Sequence, residues 1–232
     1  MKRIDGLYLL GVVSVFVTIG CAGTGGGGGL TTPTPAGTAV SMATIKGLMY
    51  GTAPTGSQVS FNLNGSDSQG YSWTGSYAVM SDGPTTFESQ NVALSRTLLT
   101  LKKGSGTPIT LITSRYYLIS NSTLYKIVSS NGGTSVPTTQ TVIPDIIRVG
   151  DFHNFLNTNN SDGTTTTATW AMKPDYNDST KFILSAVIKS GATITATEED
   201  TYTLDSSGNP YKIRISVTGN GITTSMFGII NR

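Results

Sequence analysis

The sequence predicts an all-β fold of antiparallel meanders. Apolar and polar residues alternate over short runs, the pattern of strands with one buried face. Asp-Gly, Asn-Gly and Ser-Gly pairs fall between those runs, and they reach the positive φ of tight hairpins at low cost. Charged residues make up only 12% of the chain, about half the usual share. Thr, Ser, Asn and Gly supply the polarity instead. Thr favours strands, while Asn and Gly favour turns. No stretch shows a convincing helical period.

The chain opens with Lys2 and Arg3, then an apolar run over residues 7–19, "LYLLGVVSVFVTI", then Gly20 and the only cysteine, Cys21. A basic start, a short apolar core and small residues at a cut site describe a secretory signal peptide over residues 1–20. The run is shorter than the roughly 20 residues that span a bilayer. Thr18-Ile19-Gly20-Cys21 resembles the lipobox of bacterial lipoproteins, with Thr18 where that family usually has Leu, Val or Ile. The resemblance covers residues 1–21. It implies that Cys21 is lipidated and becomes the new N-terminus, so that a membrane is the first partner. Ala22, in place of the Asp that retains enteric lipoproteins in the inner membrane, implies the outer membrane.

Residues 22–41, "AGTGGGGGLTTPTPAGTAVS", have few large apolar groups, which predicts a flexible linker over 21–41. No strand precedes these glycines and no Lys-Ser/Thr follows, so they are not a phosphate-cradling loop. With one cysteine the fold has no internal disulfide and holds by packing alone. Lys2, Arg3 and Asp5 leave with the leader, and the rest of the chain stands one charge above neutral. No block of charge points to nucleic acid.

Residues 42–232 are read as one β-rich domain. The expected strands are 44–50, 57–63, 70–80, 85–94, 96–102, 108–119, 123–129, 164–172, 180–189, 192–204, 210–218 and 222–230. The expected turns include Asp82-Gly83, Asn131-Gly132, Asp162-Gly163, Ser190-Gly191, Ser207-Gly208-Asn209-Pro210 and Asn220-Gly221. "PDIIRVGDFHNFL" reads as a connector. An internal repeat aligns "YYLISNSTLYKI" from Tyr116 with "YTLDSSGNPYKI" from Tyr202 without a gap. It predicts two sequence-related halves, about 70–133 and 163–230, forming one pseudo-symmetric β-sandwich, half-barrel or barrel.

Catalytic signals are sparse. His153, between Asp151 and Asn154, is the only histidine, and no serine sits in a nucleophile-elbow setting. Glu198, Glu199 and Asp200 form the one acidic cluster. On a strand Glu198 and Asp200 share a face and Glu199 takes the other, and such carboxylates are expected to be solvated. The loop "PDYNDST" offers Asp175, Asn177 and Asp178 as hard oxygen donors for calcium, without the glycine and distal Glu of an EF-hand. No Cys/His set suits zinc or haem, and no cofactor is expected. Tyr71, Trp73 and Tyr77 fall on one face of a single strand, either as core or as a face for a partner. The expectation is a non-catalytic envelope lipoprotein that binds or scaffolds another envelope protein. The alternative is a carrier of an apolar ligand or lipid in a barrel-like cavity, which predicts a large apolar chamber.

Overall fold

The computed structural model describes residues 32–231. The leader and Cys21 lie outside the described residues. The elements in chain order are β1 (Ala39–Ser41), α1 (Ala43–Met49), β2 (Gln58–Asp67), β3 (Ser72–Phe87), β4 (Gln90–Lys103), β5 (Ile109–Leu118), β6 (Leu124–Ser129) and β7 (Thr134–Gln140). They continue as β8 (Ile146–Arg148), β9 (Phe152–Asn160), β10 (Thr165–Pro174), β11 (Thr180–Ser190), β12 (Thr193–Leu204), β13 (Pro210–Gly219) and β14 (Ile222–Ile230). Twelve of these strands close into one antiparallel barrel, with β14 paired to β2 and β9 joining β7 to β10. The all-β expectation holds. β1 and β8 form a separate two-stranded sheet.

The alternation sets which face is which. On β2, Phe61 and Leu63 are buried inside while Ser60, Asn62, Asn64 and Ser66 face out. On β10, Ala168, Trp170 and Met172 are buried and Thr165 and Thr167 stand in solvent. This is the reverse of a lipid-facing barrel, whose outer band is apolar.

A round ring of more than eight strands leaves a hollow interior; this one is flattened and capped. Tyr77 on β3 meets Tyr202 on β12, four places away round the ring, with hydroxyls 2.9 Å apart. Phe61 packs between them, its ring centroid 6.4 Å from each. Close approach of strands makes one sharp edge. A Cβ at Gly75 would collide with the Thr100 carbonyl, and one at Gly65 with the Ser225 carbonyl, so only glycine permits this bend. At the end where β2 begins, α1 closes the barrel with Ile45, Leu48 and Met49. Tyr50 follows, its ring centroid 4.7 Å from that of Tyr117, and its hydroxyl accepts the Ile143 N–H at 3.0 Å.

Several expectations fail for physical reasons. The stretch expected as a strand over 44–50 is helical up to Met49, because Ile45, Leu48 and Met49 recur at i, i+3, i+4 and bury one face in the barrel mouth. Asp82-Gly83 is no turn: β3 runs through it with a bulge, and Gly83 has φ 76. The turn lies at Glu88 and Ser89, with φ 46 and 63. Strands β7 and β9 went unread because Pro137 interrupts one and the other is rich in Asn. The presumed connector contains β8 and the start of β9. The expected linker is too long, since its last ten residues are engaged. Pro33 bridges Tyr176, Thr34 donates to the Ser179 carbonyl at 2.6 Å, and β1 pairs with β8.

The repeated stretches both form hairpins, β5–β6 and β12–β13, at the same end of the barrel. Ile127 and Ile213 both point inward and are buried. The first arms do not match in register. Tyr116 pairs with Lys126, but Thr203 rather than Tyr202 pairs with Lys212: the last pair of the first hairpin, Tyr117 with Leu124, encloses six residues, and that of the second, Leu204 with Pro210, encloses five. Tyr116 therefore stacks outside on Phe87 while Tyr202 lies inside.

Candidate functional site

Titratable groups converge at one place, halfway down the interior. β12 delivers Glu198, Asp200 and Tyr202 on its inward face, as the run Ala196-x-Glu198-x-Asp200-x-Tyr202-x-Leu204 dictates. β3 delivers Tyr77, β4 Thr97, and β5 Thr113 and Arg115, and all of these side chains are buried. β5 and β12 are diametrically opposed in the ring, so Arg115 faces the acids across the flattened lumen. Arg115 Nη1 donates to Thr97 Oγ1 at 2.6 Å. The Tyr77 hydroxyl lies 3.5 Å from Asp200 Oδ2, and Asp200 Oδ1 has no hydrogen-bond partner among the described residues.

Electrostatics follow from this burial. Loss of water raises the Asp200 carboxyl to about 7; the Arg115 charge and the Tyr77 hydrogen bond pull it down, and Glu199 pushes it up. Burial and the neighbouring charges push Tyr77 and Tyr202 well above the ordinary phenol range. Burial alone takes Tyr117 to about 12, against the pull of Arg115. The cluster can hold a proton on Asp200 near neutrality. It has no room for a substrate. The void lined by Tyr77, Val79, Thr97, Arg115 and Tyr202 measures about 10 Å³, room for one water at most. A second void, between α1 and Val59, Val79 and Pro210, is equally small.

A larger concavity among the described residues is outside, on the rim at the α1 end. It is an open groove of about 660 Å³ whose lining includes Thr44, Lys46, Thr52, Gln58, Ser122 and Asp145. Lys46 and Asp145 form an ion pair within it.

The residues singled out from sequence are dispersed. Trp73 and Tyr77 point into the barrel and only Tyr71 is exposed, so the three do not make one outer face. Trp73 Nε1 donates to Asp67 Oδ2 at 3.0 Å, and Lys103 Nζ sits 3.7 Å from the Tyr71 ring centroid. Glu198 and Asp200 do share a face, but it is the buried one rather than a solvated one. His153 is at the barrel rim beside Trp170, ring centroids 5.0 Å apart, while the Asp151 carboxylate accepts the Arg148 N–H. Asp175 pairs with Lys181 at 2.9 Å, and Asn177 and Asp178 both have φ 57, the left-handed geometry of a tight turn. No group of three or more His, Cys, Asp or Glu able to hold a metal occurs among the described residues. Sequence reasoning missed Arg115 and met Tyr202 only as part of the repeat. Arg115 falls in the alternation Thr113-x-Arg115-x-Tyr117, and that pattern alone marks an inward charge.

Comparison with family models, curated proteins and solved structures finds no match to this chain.

Proposed function

We propose that this chain is a non-catalytic, lipid-anchored module of the bacterial envelope that docks a partner protein in the rim groove beside α1. Cys21 carries the lipid and the outer membrane is its site. The observation that carries the docking reading is where space exists. Among the described residues two interior voids are water-sized, and an open concavity of about 660 Å³ lies on the rim. A carrier needs a chamber that takes up most of its ligand, and a hydrolase needs a base within reach of a substrate. The buried cluster is sealed from both. The two six-strand sets, β2–β7 and β9–β14, are read as copies of one unit. In support, the matching hairpins hold the fourth and fifth places in each set.

Affinity capture from envelope extract with the lipidated protein tests the docking. The wild type is expected to retain a protein that a groove-filled double variant, Thr52→Arg with Gln58→Trp, releases. Equal capture by both refutes the groove. Loss of the cellular phenotype in a folded His153→Ala variant refutes the non-catalytic reading.

A further inference from the structure

Two adjacent rows of outward side chains run across the second half of the barrel. Cross-strand pairing fixes the first as Phe152, Ala171, Ile183, Thr201, Arg214, Phe227 and Asn64. The second row, nearer the α1 end, runs Lys173, Lys181, Thr203, Lys212, Ile229 and Asn62. Phe152, Phe227 and Ile229 are 60%, 56% and 66% exposed, high values for side chains of this size on a barrel wall. Ala171 and Ile183 continue the apolar row in buried positions. Four cations accompany them, and neither row holds an acid. Carboxylates flank the rows: Asp175 pairs with Lys181, Glu199 one row away accepts the Thr201 hydroxyl, and Asp151 beside Phe152 accepts the Arg148 N–H. Arg214 lies 5.3 Å from the Phe227 ring centroid, so cation and aromatic act at one spot.

The path of the chain places this wall. Pro33 bridges Tyr176 in the β10–β11 loop, and Tyr176 is itself exposed. Cys21 lies twelve residues before Pro33. Twelve residues, fully extended, reach at most about 43 Å, so a lipid on Cys21 holds the β10–β11 corner within that distance of the headgroups. Exposed aromatic and aliphatic side chains among Lys and Arg are what an interfacial surface uses. The apolar groups enter the headgroup boundary, and each cation near an anionic leaflet strengthens attachment about fivefold.

We infer that the outer wall of β9–β14 next to the β10–β11 loop is a membrane-resting face that takes an anionic lipid surface. Phe152, Phe227 and Ile229 insert there, and Lys173, Lys212 and Arg214 meet the lipid phosphates. The inference rests on the lipid anchor for its choice of a membrane, and its test does without the anchor.

The test uses the chain from residue 21 with Cys21→Ser, which keeps every strand of the barrel and carries no lipid. It is sedimented with phosphatidylcholine vesicles with and without phosphatidylglycerol. Binding is expected only with phosphatidylglycerol and is expected to fall in high salt. Lys212→Glu with Arg214→Glu should weaken it at least twentyfold, and Phe227→Ser with Ile229→Ser at least tenfold. Ile194→Ser, an exposed apolar position on the opposite end, should change nothing. All these side chains face out, and circular dichroism confirms the fold of each variant. Absence of vesicle binding, binding without phosphatidylglycerol, or equal binding by the variants overturns the inference. So does a sedimentation-velocity dimer that the same variants dissociate, since the wall then takes a second copy. Loss of membrane attachment in cells on Cys21→Ser reports on the anchor separately.

Discussion

Replacing Asp200 with Asn should stabilise the protein above neutrality. Burial raises the Asp200 carboxyl in the folded state to about 7, from an ordinary value of 3.8. Between those values the folded chain holds a proton that the unfolded chain has released. Stability therefore falls as pH rises from about 4 to about 7 and levels off above. A difference of three units is worth about 4 kcal/mol at about 1.4 kcal/mol per unit. Asn keeps the shape and neutrality of the protonated acid and cannot ionise. The Asp200→Asn variant should match the wild type near pH 4 and exceed it by up to about 4 kcal/mol above pH 7. For a chain of this size that is roughly 8–16 °C in Tm. Urea unfolding followed by tryptophan fluorescence across this range measures it. A variant with the same slope between pH 4 and 7 as the wild type refutes the assignment of that proton to Asp200.

Gly75→Ala should destabilise by about 1–3 kcal/mol, since its Cβ meets the Thr100 carbonyl and the bend must open; an unchanged urea midpoint would sink the account of the sharp edge. Asp67 acts in the opposite sense to Asp200. Burial by itself raises its carboxyl, but hydrogen bonds from Trp73, Tyr71, Lys103 and Gln69 outweigh that and hold it below the usual range. Its contribution is present above the unfolded value and is lost as pH falls through the folded one. Asp67→Asn should cost about 2–3 kcal/mol at neutral pH and little in strong acid, where the two unfolding curves should converge.

Much of the barrel was legible because alternation and turn chemistry are local. Asn131-Gly132, Asp162-Gly163 and Asn220-Gly221 close hairpins, and the strands around them follow the alternation. Closure was not legible, since the β14–β2 and β7–β9 pairings join segments without any shared local signal. Nor was Asp82-Gly83 as a bulge: a left-handed glycine serves a turn and a bulge equally well, and only the partner strand decides. The acids on β12 were read as solvated from their charge. Their neighbours Ala196, Tyr202 and Leu204 on the same face place them in the core, and that signal was present in the alternation.

The buried cluster also bears on how this barrel chooses its pairing. Away from the β9–β14 wall, Thr, Ser and Asn fill much of the outer surface, and such a face specifies register weakly. Moving β12 by one residue would turn Glu198, Asp200 and Tyr202 outward and bring Glu199, Thr201 and Thr203 into the lumen, away from Arg115, Tyr77 and Phe61. The wrong register would then set one acid, Glu199, in the lumen in place of two and leave Arg115 with less opposing charge, a cost on the order of a few kcal/mol. The native register meets only the smaller cost of a protonated or compensated Asp200. The same cross-lumen contact draws β3 and β5 toward β12 and removes the hollow that twelve strands would enclose. What makes the pairing unique is therefore also what fills the interior.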